Sequence, residues 1–341
     1  MSTTEAASAT GRVVTFGEAM ARFTPLGNER LERSARLAVT IGGAELNVAA
    51  TVACLNVPAR WVSLLPDVPL GRMIAREARA ADVDVSAIRW VGEAEGRTGI
   101  YFLEEGTDPR PSAVYYDRAN SAFSRMSAGT FDWPSLLDGA GAFQVSGITP
   151  ALGDGCRHET FAAVRAANDA GIPVAFDLNY RSKLWSEADA RACFVELIPL
   201  VDILFASRGM LRTFFGIDGD HETVLRAARE RLGVSVTLLS RKRSRASRSL
   251  KLSMLAMGAD GTTVETPWRA VEVVDRLGGG DAFAGAFLAS YVTNPADLEQ
   301  AVALGAAAQA LKHTVPGDLL AATQAEIEAA VEGGKGGALQ R

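Results

Sequence analysis

The sequence predicts an α/β fold: a mostly parallel central sheet with helices on both faces and a small separate β-sheet beside it. Three observations carry this. From residue 141 onward, short apolar runs alternate with helical stretches, the rhythm of βα units. Twice, at 41–49 and at 275–285, glycines stand directly before an apolar helix. Between 91 and 124 the pattern changes to short alternating runs around a Gly/Pro-rich turn at 106–111, which is a hairpin pattern.

Taken in order, Val13-Val14-Thr15-Phe16-Gly17-Glu18 reads as a first buried strand ending in a turn. The stretch 22–40 alternates irregularly and has room for short strands. In Ile41-Gly42-Gly43-Ala44-Glu45-Leu46-Asn47 the glycines precede a helix running to about Leu55. They serve either a tight turn for close packing, or a site where Gly43 lets a substrate hydroxyl approach the backbone and Asn47 bonds to it. A strand is expected at 60–65 and an amphipathic helix at 71–81. The runs 99–103 and 113–116 flank the hairpin turn and, with 22–40, form the small sheet. Tyr101, Tyr116 and Arg118 lie in it, as an exposed sheet face or as substrate contacts.

Strands follow at 143–147, 173–178, 203–206 and 234–239, with helices at 157–170, 190–200 and 222–232. Ligands of such sheets bind beyond the carboxyl ends of the strands. Asp177-Leu178-Asn179-Tyr180-Arg181 falls at one such end. The segment 240–251 carries six basic residues and reads as a solvated loop. A strand end at 271–274, a buried helix at 282–291, a small-residue helix at 301–312 and a final helix at 323–331 complete one domain over 12–331. Residues 1–11 and 332–341 are expected to be disordered tails, the first without the basic start or apolar core of a signal peptide.

Composition narrows the function. A net charge of −5 argues against broad affinity for nucleic acid or membrane. The basic run at 240–251 lacks the interleaved aromatics of a nucleic-acid surface. No apolar run approaches membrane-spanning length; 197–205 comes nearest, and Asp202 interrupts it. Cys54, Cys156 and Cys193 are far apart and odd in number, so neither a disulfide framework nor a metal site is indicated and a reducing cytoplasm fits.

The chemistry is concentrated in Asp275-Arg276-Leu277-Gly278-Gly279-Gly280-Asp281. Consecutive glycines permit positive φ and turn backbone N–H groups inward. A helix start adds partial positive charge and unpaired donors, which together suit a phosphate. A carboxylate beside a phosphate is repulsive unless it has a task. Asp281 is therefore either a helix N-cap or a base that takes a proton from a hydroxyl attacking the phosphate.

This stretch resembles the D-T-x-G-A-G-D signature of the ribokinase-like carbohydrate kinases. It is most similar to the branch that phosphorylates 2-keto-3-deoxygluconate, which often has Arg after the first Asp and Gly in place of Ala. Gly42-Gly43 with Asn47 resembles the family's first signature, G-G-x-x-x-N. Tyr116-Asp117-Arg118 before Ser121-Ala122, the Asp-x-Asn-x-Arg of 177–181 before Leu184-Trp185, and Leu311-Lys312-His313-Thr314-Val315-Pro316-Gly317-Asp318 resemble that branch.

The resemblance spans about 13–331 and implies a ribokinase-like fold in which the small sheet covers the sugar as a lid and often joins two subunits. It implies Asp281 as catalytic base and Gly278, Gly279 and Gly280 as the anion hole. It places Gly43, Asn47, Tyr101, Tyr116, Arg118, Arg181, Asp281 and Asp318 around a sugar acid. It places Asp177, Asn179, Arg181, Ser207, Gly278 and Gly280 near ATP, and further nucleotide contacts near 240–251, where this sequence departs from the Gly-containing loop of many relatives and no single residue is carried over; Mg2+ is held mainly by nucleotide and water. A kinase of fructose, ribose or a nucleoside, or a non-catalytic sugar-binding regulator, are the alternatives. One departure stands out: the family's N-x-x-E, which organises water around Mg2+, is replaced here by Ser207-Arg208-Gly209-Met210.

Overall fold

Neighbouring residues of each central strand face opposite apolar layers, and that alternation sets the architecture. A computed structural model describes residues 11–246 and 248–333. In chain order its strands are β1 (Arg12–Phe16), β2 (Met20–Pro25), β3 (Leu37–Gly42), β4 (Ala59–Pro66), β5 (Ile88–Val91), β6 (Ile100–Glu104), β7 (Ala113–Asp117), β8 (Ala140–Ser146), β9 (Val174–Asp177), β10 (Ile203–Ala206), β11 (Val236–Ala246), β12 (Ser249–Met257), β13 (Thr263–Glu265) and β14 (Arg269–Glu272). Its helices are α1 (Ala44–Cys54), α2 (Pro69–Ala80), α3 (Trp133–Leu137), α4 (Asp154–Asp169), α5 (Glu187–Leu197), α6 (Arg208–Phe215), α7 (His221–Leu232), α8 (Gly279–Thr293), α9 (Leu298–Lys312) and α10 (Gln324–Val331).

The large sheet runs β13-β12-β11-β10-β9-β8-β1-β4-β5, with β14 also paired to β12. From β11 to β5 every pairing is parallel. Strands β12, β13 and β14 join antiparallel at one side. Val13, Trp61, Ala142, Ala175, Ile203 and Leu238 pack on the layer of α1, α2, α8, α9 and α10. Their neighbours Val14, Val62, Phe143, Phe176, Leu204 and Leu239 pack on the layer of α3 to α7. Strands buried on both faces need apolar side chains at both parities, which is why they read as continuous apolar runs. The three cysteines are free thiols, and Cys156 and Cys193 are buried in the core. Among the described residues no helix is long and apolar enough to cross a membrane.

The small sheet has the order β3-β2-β6-β7. Its register places Thr40, Arg22, Tyr101 and Tyr116 in one row across the strands, and Val39, Phe23, Phe102 and Tyr115 in the next. Successive residues of a strand point to opposite faces, so the first row faces the body of the protein and the second faces outward. Val39 is 45% and Tyr115 52% exposed.

One expectation is overturned. The segment 240–251 is not a loop: it is the end of β11 and the start of β12, paired antiparallel from Thr237↔Met257 to Ala246↔Ser249. The basic residues hide a period of two. Leu250, Leu252 and Met254 alternate with polar residues and are buried, the first two against Val271, Val273 and Ala310. That small cluster gives the hairpin a core of its own. The expected tails lie outside the described residues, except Gly11, Glu332 and Gly333, of which Glu332 caps α10.

Candidate active site

The glycine turn enters α8 beyond the carboxyl ends of the parallel strands. Gly278 is the helix N-cap, with φ of 77°. A side chain there would be strained in this left-handed conformation, and its Cβ would lie 2.0 Å from the Asp318 carbonyl oxygen. Gly279, Gly280 and Asp281 form the first turn of α8, where backbone N–H groups have no partner within the helix. A Cβ on Gly280 would meet nothing within 4 Å, so open space lies over these donors. Gly279 is different: its Cβ would lie 2.6 Å from His313 Nε2. The His313 ring is fixed from its other side, with Nδ1 2.9 Å from the Asp275 carbonyl oxygen.

Asp281 is the third residue of α8 and not its N-cap, and no side chain caps this helix. The capping alternative for Asp281 is thereby removed. Its carboxylate accepts a 2.7 Å hydrogen bond from Asn47 Nδ2, and the Asn47 Oδ1 accepts one from Gly43 N–H. The amide of Asn47 thus links the two glycine motifs. Helices α1 and α8 come close because Gly285 lies against Val48 and Thr51, where a Cβ would be 2.6 Å from the Val48 carbonyl oxygen. Burial pushes the Asp281 carboxyl up to about 6, against the Asn47 hydrogen bond and the Arg181 charge, which pull it down.

Two cavities meet at this aspartate. A cleft of about 340 Å³ is lined by Asp177, Asn179, Arg181, Ser207, Lys242 and the glycine turn. A smaller pocket of about 90 Å³ is lined by Gly43, Asn47, Tyr101, Tyr116, Arg118 and Asp318. Arg181, Asn179, Gly278 and Asp281 border both. At the end of β9, Asn179 has φ of 32° and its N–H donates to Asp177 Oδ1. Burial, and then the charge of Asp281, push the Asp177 carboxyl up to about 7.

All the residues singled out in the sequence line one or other cavity, but several have their polar atoms turned to each other. Tyr101 Oη donates to Asp318 Oδ2 at 2.6 Å. Gly43 also serves close packing: its Cβ would be 2.2 Å from the Glu18 carbonyl oxygen. Ser207 is the N-cap of α6, its Oγ accepting the Met210 N–H. Arg118 binds Glu18 Oε2 through Nε at 2.9 Å and, closer still, through one terminal nitrogen.

Sequence reasoning missed four residues. Arg22 on β2 is buried, with Asp275 and Asp318 each 2.7 Å from it. Asp275 in turn accepts the N–H of Leu277 and of Gly317. Two buried carboxylates need a cation, and that rule is the signal that asks for an arginine, though not for this one. Glu18 follows β1 and holds Arg118. Glu45, in the first turn of α1, accepts from Ser146 N–H, Ser146 Oγ and Thr149 Oγ1. Burial pushes its carboxyl up to about 7, and the three bonds tie α1 to the end of β8. Lys242, assigned to a loop by its charged neighbours, stands in the cleft.

A family model described as pfkB family carbohydrate kinase matches residues 10–324. The chain is 40% identical over 328 residues to a 2-dehydro-3-deoxygalactonokinase of Haloferax volcanii, covering 96% of this chain and 99% of that one. It is 29% identical over 310 residues to a 2-dehydro-3-deoxygluconokinase of Bacillus subtilis, covering 90% of each. The crystal structure of a 2-dehydro-3-deoxygluconokinase from Thermotoga maritima superposes with a TM-score of 0.90 at 35% identity, covering 94% of this chain and 98% of that one.

Proposed function

Because the chain belongs to the pfkB family of carbohydrate kinases, we propose that it transfers the γ-phosphoryl group of ATP to the 6-hydroxyl of 2-keto-3-deoxygluconate. One observation carries this: Asp281 stands where the two cavities meet, beside the open donors of α8. The sugar acid takes the smaller pocket and the nucleotide phosphates take the cleft. The hydroxyl proton passes to Asp281, O6 bonds to the γ-phosphorus, and the bond to the β,γ-bridging oxygen breaks so that ADP leaves with that oxygen. The first-turn N–H groups of α8 face the charge that develops. Mg2+ would shield the phosphates. Among the described residues no three metal-binding side chains converge, so the ion would rest on phosphate and water with Asp177 as the carboxylate in reach, a set that suits it.

The Haloferax volcanii relative favours a second reading, in which the preferred acid is 2-keto-3-deoxygalactonate, the C4 epimer. ATP consumption measured with both epimers, fructose and ribose tests all of this. Turnover of either neutral sugar above both acids would overturn the sugar-acid reading.

The acid's carboxylate distinguishes it from fructose, and Arg118 is the residue we assign to it. Glu18 engages Nε and one terminal nitrogen, which holds the guanidinium plane and leaves its other terminal nitrogen for the ligand. Losing a charge-assisted bond costs about 1.5–3 kcal/mol. Arg118→Ala is expected to lower kcat/KM for the acid roughly ten- to hundredfold and to affect fructose much less. Equal losses for both substrates would remove Arg118 from carboxylate recognition.

The outward row Val39, Phe23, Phe102 and Tyr115 gives the small sheet an apolar outer face. A four-stranded sheet with one face on the body and apolar side chains on the other calls for a second cover. We assign that cover to the same face of a second copy. Light scattering at micromolar concentration should give a dimer or a multiple of it, and Tyr115→Glu should shift the mass toward the monomer. A monomeric mass for the unaltered protein would contradict the pairing.

A further inference from the structure

We propose that Lys242 is the cation that binds the terminal phosphate of the nucleotide as it is transferred. The inference deepens the kinase reading above and rests on it. Strand β11 outruns its parallel neighbour: β10 ends at Ala206, opposite Leu239. The extension carries Lys242, in register with Leu252, out over the cleft. Leu238, Ser240 and Lys242 are spaced by two and line the cleft together. Lower on this face Leu238 belongs to the apolar layer that includes α8, so the same face brings Lys242 to the side from which α8 begins.

The cleft needs such a charge. Asp177 and Asp281 both line it and repel an incoming triphosphate. Three cations stand against them. Arg181 is shared with the smaller pocket, and Arg276 reaches toward Ser244 Oγ at 3.4 Å. Lys242 lines the cleft and not the pocket. Its side chain is exposed to the cleft, and it makes no ion pair among the described residues. The cleft walls around it strip water from the ammonium and lower its pKa, while the charges of Asp177 and Asp281 raise it. A compact ammonium on a flexible stem can follow a phosphoryl group as it moves between two oxygens, which a planar guanidinium held in a fork does less readily.

The bland alternative is that Lys242 only neutralises the two carboxylates. Nucleotides that differ in the terminal phosphate separate the two roles. Calorimetry of the full chain with Mg2+ would compare ADP with the non-hydrolysable β,γ-imido analogue of ATP. Lys242→Met is expected to weaken the analogue roughly ten- to hundredfold, the range for a charge-assisted bond, and to leave ADP binding unchanged. Its kcat should fall while KM for the sugar acid holds, and Lys242→Arg should recover part of the loss. Equal weakening of both nucleotides, or of neither, would overturn the assignment. If the unaltered protein consumes no ATP with any sugar acid, the kinase reading fails and takes this inference with it, a result visible before any variant is made.

Discussion

Asp281→Asn is expected to lower kcat by roughly 10²–10⁴-fold, the range for removing a positioned general base. The change keeps the shape of the side chain, and the new amide oxygen still accepts from Asn47 Nδ2. Sugar-acid KM should change little. Stability should not fall either. The folded-state carboxyl is raised to about 6, chiefly by burial. An acid whose folded pKa lies above its unfolded one is worse off ionised in the folded chain, so removing it costs nothing at neutral pH. The unaltered enzyme should lose kcat/KM as pH falls through about 6, where Asp281 takes up its proton. That limb should vanish in the variant, and any that remains reports Asp177. Near-normal turnover in Asp281→Asn would end the assignment of the base.

Arg22→Met should produce the largest loss of stability. The guanidinium lies between Asp275 and Asp318, and all three side chains are buried. Removing one partner of a buried ion pair costs about 3–5 kcal/mol, because the remaining charge is left uncompensated. The deficit should depend on pH in a stated direction. Burial already raises the Asp318 carboxyl, and Arg22 is the main group holding it down. Without Arg22 the folded-state pKa rises further. The penalty is then full above that value and recedes as pH falls through it and the carboxyl takes up a proton. Urea unfolding at pH 5.5 and pH 8 would read this, with the greater shift in midpoint at pH 8. A shift that is small, or the same at both pH values, would show that the carboxylates find another partner.

These two residues show what the sequence reveals and what it hides. Asp281 is legible because a glycine turn and the helix after it are local: the backbone need is met by neighbours in the chain. The βα rhythm is legible for the same reason, since strands buried on both faces must be apolar at both parities. Arg22 is hidden because its partner Asp318 is 296 positions away, and one arginine in an irregular strand looks like any other. Glu18 and Arg118 are separated by 100 positions, and Glu45 finds Ser146 101 positions on. Lys242 is hidden differently. Six basic residues in twelve outweigh the alternation of Leu250, Leu252 and Met254, and it is the small cluster beneath them that makes the segment a strand.

The contact between Gly279 and His313 constrains how this chain changes over generations. Related sequences can carry alanine where Gly279 stands, as the D-T-x-G-A-G-D signature has it. Here a methyl group would press on an imidazole held in place by Asp275. The two positions therefore exchange volume, and the order of exchange matters. A lineage that gains alanine first passes through a distorted anion-binding turn. One that first loses the imidazole passes through a cavity beside α8, the milder of the two intermediates for catalysis. Gly279 and His313 are in this sense coupled in volume, so that a side chain added at the first is felt by the second.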